Sequence, residues 1–349
     1  MTRIKALALF SGGLDSILAA RLIMEQGVEV EAIQFVTPFF NYQLLDDIEG
    51  HRERMLHTYG INVMLEDISP GYLRLLHNPQ HGFGKNFNPC IDCKILMFSR
   101  AKEMLGERGA SFLVSGEVLG QRPMSQRRDT LNLIERDSGT RSLLLRPLSA
   151  QLLKETVPEV RGWVDRSKLL GFSGRGRSAQ IAMAARYGIS DFPAPAGGCI
   201  LADPILGRRI EQLYSSDSLL RGAEITVADV RLLLIGRQFV LPGGTWLILG
   251  RDQRENDALA RLAGPEDAVL LMEDWPGPTA VLKKVGSTTL SGVERQELLN
   301  LAAALVVRFG RKLPVDNACG RVTCTVAGNR TLLSAFPLGD EIFAQWNLL

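Results

Sequence analysis

The chain has 349 residues, 46% hydrophobic and only 7% aromatic, enough apolar material for a core in each of two domains. Forty Lys and Arg against 38 Asp and Glu leave a net charge of +2, so overall basicity does not announce nucleic acid and an RNA surface has to come from local clustering. No apolar run approaches the ~18 residues of a membrane helix, and Met1-Thr2-Arg3 leads into a strand without signal-peptide anatomy, so a cytoplasmic protein with no membrane partner is expected. Five cysteines, an odd number, argue against a disulfide framework and for thiols that are free, catalytic or metal-bound.

The first stretch, Lys5 to Phe10, reads as a buried strand. Ser11-Gly12-Gly13-Leu14-Asp15-Ser16 punctuates it, and Ile17 to Ile23 follows at helical spacing. Glycines at 12 and 13 let backbone approach a ligand, and the first free N–H groups of the helix point above the loop, where a phosphate fits. Ser16 adds a hydroxyl donor, and Asp15 can hold a magnesium ion or cap an N–H. An ordinary glycine-rich turn with an Asp cap is the plainer reading.

The full Ser-Gly-Gly-x-Asp-Ser string resembles the PP-loop of the ATP pyrophosphatases, which adenylate a carbonyl oxygen and release pyrophosphate. The resemblance implies a parallel-sheet, HUP-like α/β nucleotide-binding domain. It also implies that Ser11, Gly12, Gly13, Asp15 and Ser16 bind the pyrophosphate of ATP with Mg²⁺ nearby.

A second strand, Val28 to Val36, completes a βαβ unit, with Gln34 and Phe35 at the end where an adenine would be met; Phe35 is otherwise a core aromatic. A helix over 48–59 and a third strand over Ile61 to Ile68 continue the βα order of a parallel sheet. A long turn-rich loop, Leu75 to Pro89, precedes Cys90-Ile91-Asp92-Cys93-Lys94 and a helix from Ile95 to Gly106. The helix N-terminus and Lys94 should lower the Cys90 and Cys93 pKa values toward thiolate. Redox dithiol, metal or cluster ligands, and two small buried hydrophobes all suit this pair.

Phe112 to Gly116 is the fourth strand. Gly116, Glu117, Gln121 and Arg122 follow its carboxyl end and would reach the nucleotide cleft, with Arg127 and Arg128 beyond; a solvated charged loop is the alternative. Residues 129–148 read as a short strand pair turning at Asp137 to Thr140, and the chain then reads helical to about 190. In that basic part, 150–190, Lys168, Arg175 and Arg177 belong to a cationic cluster suited to a phosphate backbone, or to ordinary surface arginines. Next, two prolines and Gly197-Gly198 present Cys199.

A CxxC with one distant cysteine is too small for a Cys₄ zinc site, yet suits a [4Fe-4S] cluster with three protein ligands, Cys90, Cys93 and Cys199, and one open iron to hold sulfide. Together with the loop, the pattern resembles the tRNA-thiolating branch of the PP-loop family, the 4-thiouridine synthetases and 2-thiouridylases. That implies ATP-dependent thiolation of a tRNA uridine, with tRNA and a sulfur donor, sulfide or a persulfide-bearing protein, as partners. Asp15 and the three cysteines would be the catalytic set. A cluster-free persulfide route through Cys93 and Cys199, or a PP-loop ligase or sulfurtransferase acting on a small molecule, is the alternative. The N-terminal RNA-binding region of 4-thiouridine synthetases has no counterpart ahead of the loop, so tRNA capture is expected elsewhere.

Residues 1–205 form the expected thiolation domain and 206–220 a linker. A second, smaller α+β domain spans 221–349. It opens with a hairpin, Val230 to Leu241 and Thr245 to Arg251 around Pro242-Gly243-Gly244. The order from Gly250-Arg251-Asp252 to Pro276-Gly277-Pro278 resembles the RNA-binding domain of rescue factors for stalled ribosomes. A generic dimerisation domain, giving a homodimer, is the alternative. A helix over 291–309 and a strand-rich end complete it, with Cys319 and Cys324 as packing residues.

Overall fold

Five residues of the Lys5–Leu9 strand carry one apolar face to each side, and a strand covered on both faces belongs at the centre of a parallel sheet. In the computed structural model, which describes residues 4–194, 199–215, 219–220, 224–286, 290–310 and 319–348, that is where it lies. The chain divides into two units, Met1–Ala202 and Asp203–Leu349.

In the first unit the elements run β1 (Lys5–Leu9), α1 (Leu14–Met24), β2 (Glu29–Val36), α2 (Ile48–Tyr59), β3 (Asn62–Asp67), α3 (Ser69–Leu75), α4 (Cys90–Glu107), β4 (Phe112–Ser115), α5 (Arg128–Asp137), β5 (Leu144–Leu145), α6 (Val157–Val160) and α7 (Ser178–Arg186). The strands form one sheet in the order β3-β2-β1-β4-β5, every neighbouring pair parallel. Chain order reverses between β1 and β4, and such a switch point opens a crevice beyond the carboxyl ends of the strands. The Ser11 loop and Gly116 flank it. Beneath, α1 buries Leu14, Ile17, Leu18, Ala20 and Ile23 against the sheet, with Met183 and Ala184 of α7 in the same core.

Two stretches differ from the sequence reading. Residues 128–137 are a helix, not a strand: Leu131 and Ile134, three apart, are its buried pair, a spacing that a strand would send to opposite faces. Gly139 in the left-handed region then ends the turn. The basic part, 150–190, holds only the short α6, two 3₁₀ turns and α7, because Gly162, Gly174 and Gly188, all at positive φ, interrupt it.

The second unit runs α8 (Pro204–Tyr214), α9 (Val227–Leu233), β6 (Arg237–Leu241), β7 (Thr245–Leu249), α10 (Gln253–Leu262), β8 (Ala268–Met272), β9 (Ala280–Leu282), α11 (Gly292–Arg308), β10 (Gly320–Val326), β11 (Asn329–Ala335) and α12 (Asp340–Phe343). The expected linker is mostly α8, whose Asp203 cap accepts from Ile205 N (2.9 Å) and Leu206 N (2.8 Å). Its Ser216, Asp217 and Ser218 lie outside the described residues. Val230 to Leu233, read as strand, is helix, set by a reciprocal cap between Thr226 and Asp229.

Strands β6 to β11 form an antiparallel sheet in the order β11-β10-β8-β9-β7-β6, and α11 buries Leu298, Leu299, Ala302, Leu305 and Val306 in its core. Gly243 and Gly244, both at φ +79, make the tight β6–β7 turn. Buried Lys283 ties α9 to the sheet, 3.0 Å from Asp229 and 2.8 Å from Asp267; burial alone would lower its pKa, and the two carboxylates outweigh that and raise it. Cys324 is a buried packing residue as expected, whereas Cys319 is exposed. Among the described residues no helix is long and apolar enough to cross a membrane.

Candidate active site

Between β1 and α1 the loop is held by its own side chains. Gly12 sits at φ +74, a conformation that a side chain would strain. Ser16 Oγ donates to Gly13 O (2.7 Å) and accepts from Ser11 N (3.3 Å), while Ser11 Oγ lies 3.4 Å from Gly13 N. One face of Gly12 stays open: a Cβ there would have Gln34 Nε2 as its near neighbour, at 3.8 Å. Asp15, in the first turn of α1, has a buried Oδ1 with no hydrogen-bond partner. A buried orphan carboxylate oxygen fits a hard cation such as Mg²⁺.

Gln34 and Phe35 lie at the carboxyl end of β2, both buried. His51 of α2, which sequence reasoning missed, sits 2.9 Å from Gln34 Oε1. Burial first, then the Arg54 charge, lowers the His51 pKa, so the imidazole is neutral and its Nε2–H is assigned as donor. That pairing turns the Gln34 amide nitrogen toward the loop.

Opposite, the segment after β4 behaves differently from expectation. A Cβ on Gly116 would stand 2.6 Å from the backbone of Asp15 and Ser16, so this glycine admits the first turn of α1. Glu117 is buried at the centre of an ion-pair network: Lys94 on one oxygen, Arg146 Nε at 2.9 Å on the other, and Glu135 on the far side of Arg146. Burial would raise the Glu117 pKa; the two cations outweigh it and hold it below the ordinary value. Its carboxylate is thus committed to Lys94 and Arg146, not open to ATP. Gln121 is half-buried in a turn, its N–H on Val118 O at 3.1 Å.

Helix α4 starts at Cys90 itself, so Cys90 and Cys93 share its first turn. The preceding loop is pinned down: His81 lies 3.0 Å from Asp137, its N–H meets Asp92, and Phe83 stacks on Phe87 at 4.2 Å. Asn86 Nδ2 donates to Ala202 O at 2.6 Å, which brings the segment carrying Cys199 to the CxxC loop. Gly197 and Gly198, expected to present Cys199, lie outside the described residues. Cys90, Cys93 and Cys199 act electrostatically on one another and on the buried hydroxyl of Tyr72 in α3.

Burial dominates the chemistry of Cys93 and Cys199. It pushes the Cys93 thiol up to about 12, and the Tyr72 hydroxyl and the Lys94 charge only partly offset this. Burial also raises Cys199, against a hydrogen bond from the Leu201 backbone and the charge of Arg122. The expectation that helix dipole and Lys94 make a thiolate of Cys93 is therefore overturned: Lys94 is spent on Glu117, and desolvation exceeds the end effect of a helix. All three donors are soft sulfurs, which suits iron chemistry. No group of three or more His, Cys, Asp or Glu among the described residues stands arranged to hold a metal ion.

The two halves of the site are joined by a short path. Gly116 touches Asp15 and Ser16, Glu117 follows it, Lys94 pairs with Glu117, and Lys94 adjoins Cys93. Of the expected RNA-contacting cations, Arg122 is exposed beside Cys199, and Gly174 N bonds Leu119 O at 2.8 Å, which carries exposed Arg175 to the same edge. Arg177 there has a buried Nε without a partner. Arg127 is paired with Asp129 (3.3 Å), Arg128 donates to Leu152 O (3.0 Å) and Lys168 lies 3.8 Å from Asp165.

A parallel 3-2-1-4-5 sheet with this loop at its switch point gives the first unit a HUP-like α/β fold, carried with a separate antiparallel α+β unit. Residues 1–159 match the family described as thiamine biosynthesis protein (ThiI), and residues 236–347 match the NFACT protein RNA binding domain, so both resemblances read from the sequence are met. The tRNA sulfurtransferase of Desulfurococcus amylolyticus is 30% identical over 146 residues, 41% of this chain and 29% of that one. The chain thus spans under a third of that relative's length. Among solved structures, it is similar to a 4-thiouridine synthetase–RNA complex with bound ATP (23% identity, 61% of this chain and 50% of that one, TM-score 0.39). It is also similar to the U34-tRNA thiolase NcsA from Methanococcus maripaludis with its [4Fe-4S] cluster (17%, 62% and 69%, TM-score 0.32).

Proposed function

We propose that this chain is a cytoplasmic enzyme that uses ATP to thiolate a uridine of tRNA, with Cys90, Cys93 and Cys199 forming its sulfur centre. The observation that carries the reading is that Asn86 ties the segment carrying Cys199 to the CxxC loop, in the same unit as a glycine loop whose Asp15 has an unpartnered oxygen. Relatives of the N-terminal half named tRNA sulfurtransferase support it, as does the RNA-binding family match of the C-terminal half.

A uridine carbonyl oxygen leaves badly, so the oxygen first attacks the α-phosphorus of ATP and pyrophosphate departs. The N–H groups of Gly12, Gly13 and the first turn of α1 hold the departing charge, with Mg²⁺ on Asp15. Gln34, fixed by His51, adds an amide donor from below. Sulfur then attacks the activated carbon and AMP leaves with the former carbonyl oxygen. Arg122, Arg175 and Arg177 line the edge where an RNA backbone would approach, and the second unit supplies further RNA binding.

The three cysteines fit a [4Fe-4S] cluster by donor chemistry; bound there, it would supply an open iron that holds sulfide. The burial that raises the Cys93 and Cys199 thiols also keeps water from a reactive sulfur. Anaerobically purified protein is expected to contain iron and inorganic sulfide with a broad visible absorption, and Cys90→Ala to lose both. Iron retained by Cys90→Ala counts against the cluster. The second reading, a persulfide passed between Cys93 and Cys199, is favoured by their free thiols. It predicts iron-free protein that still thiolates tRNA when given a persulfide donor.

A further inference from the structure

Phe83 is 39% exposed, although the loop that carries it is tied down on several sides. One face of its ring stacks on half-buried Phe87, centroids 4.2 Å apart and planes 27° from parallel, so the surface left to solvent is the opposite face and its rim. Further contacts fix where that face sits. Gly84 N bonds Asn88 O at 2.9 Å, which closes the loop directly ahead of Cys90. Asn86 joins the loop to Ala202, just past Cys199 and exposed Ile200. Met124, also 39% exposed, packs on Gly84, where an added Cβ would collide with its Cε. The turn that holds Met124, closed by Gln126 N on Arg122 O at 3.0 Å, carries exposed Arg122 as well. An open aromatic face, exposed Met124 and Ile200, and the cations Lys85 and Arg122 are thus brought together on joined segments, two of which carry Cys90 and Cys199.

A uracil carbonyl inside a paired stem is stacked and hydrogen-bonded, so chemistry at it requires the base to leave the stack. An aromatic face restores the stacking that an extruded base loses, and cations at its rim match the phosphates on either side of that base. We propose that Phe83 is the platform on which the target base of the RNA stacks, with Lys85 and Arg122 on the flanking phosphates. The proposal deepens the thiolation reading and rests on it for the identity of the base as a uridine. Phe83 forms no covalent bond and moves no proton. It is a positioning residue, holding an extruded ring beside the segments that bear the cysteines.

Transcribed tRNA with 5-bromouridine in place of uridine, irradiated in complex with the full-length protein, is expected to crosslink to the peptide that contains Phe83, located by mass spectrometry. Phe83→Leu keeps an apolar contact for Phe87 but offers no π face. With natural tRNA it should raise the KM for tRNA about tenfold, within the range of one lost stacking platform, and leave the KM for ATP unchanged. Phe83→Trp should restore the parental value. Crosslinks confined to other segments of a protein that thiolates tRNA, or a parental KM for tRNA in Phe83→Leu, overturn the inference and leave the function standing. A crosslink at Phe83 in a protein that forms no thiouridine overturns the function and leaves the platform standing. A concentration-dependent dimer that Phe83→Leu abolishes assigns the patch to a second copy and overturns the inference; failure to bind tRNA at all overturns both.

Discussion

Glu117→Gln is expected to lower the stability of the first unit by about 3–5 kcal/mol, the cost of breaking a buried ion pair from one side. Glu117 has 6% of its surface exposed and serves two cations, and Arg146 is buried with it. Glutamine keeps the volume but offers no charge, so Lys94 and Arg146 are left desolvated with only Glu135 to balance them. Urea unfolding of the full chain reads the change as a lower midpoint for the first unit. A shift under about 1 kcal/mol, typical of exposed pairs, would show the network to be solvated.

The same carboxylate sets a pH dependence. Because the folded-state pKa of Glu117 lies below 4.5, its contribution is complete above that unfolded value and is lost as the pH falls through the folded one. Glu117→Gln should therefore flatten the acid limb of stability below about pH 4.5 while lowering the plateau.

Gly116→Ala is expected to reduce kcat/KM for ATP about a hundredfold or more. Gly116 does not lie in the left-handed region, so strain in its own backbone is not the cause. The added methyl would meet Asp15 and Ser16 backbone atoms at 2.6 Å, and backbone cannot swing aside as a side-chain tip can. The first turn of α1 must move, and displacing phosphate donors by about 1 Å costs on the order of 10²-fold. Overpacking adds about 1–3 kcal/mol of destabilisation. ATP affinity measured by calorimetry should fall with activity; unchanged affinity would show that α1 can yield without harm to the loop.

What could be read from the sequence follows from locality. β1 to β4 are short apolar runs bounded by turns, and Ser11 to Ser16 is a contiguous motif, so pattern alone located them within a residue or two. Helix α5 was hidden because Leu131 and Ile134 are its sole fully buried apolar pair, too few for periodicity to speak clearly. The role of Glu117 depends on Arg146, far along the chain, and on Lys94, which the sequence assigned to Cys93 instead. His51 sits on a helix with no local signal; only burial and its distant partner Gln34 mark it. The thiol pKa was misjudged for the same reason, since desolvation is a property of the packed site and leaves no trace in the spacing of CxxC.

Charge at the edge proposed to face RNA was partly legible. The segment of Arg175 and Arg177 joins that of Arg122 because Gly174 docks on Leu119, a pairing no spacing rule gives. Arg127, Arg128 and Lys168 were read as equivalent to them, yet each has a local oxygen partner and a weaker claim on a phosphate.

The most direct test separates activation from sulfur transfer in one reaction mixture: tRNA, ATP, Mg²⁺ and a sulfur source, with pyrophosphate release and thiouridine both quantified by mass spectrometry and radiolabel. The expected result is that Asp15→Asn loses both signals, whereas Cys199→Ser still releases pyrophosphate in an RNA-dependent manner and forms no thiouridine. Thiouridine formed by Cys199→Ser at the parental rate, or pyrophosphate release indifferent to RNA, would contradict a centre in which the loop activates and the three cysteines deliver sulfur.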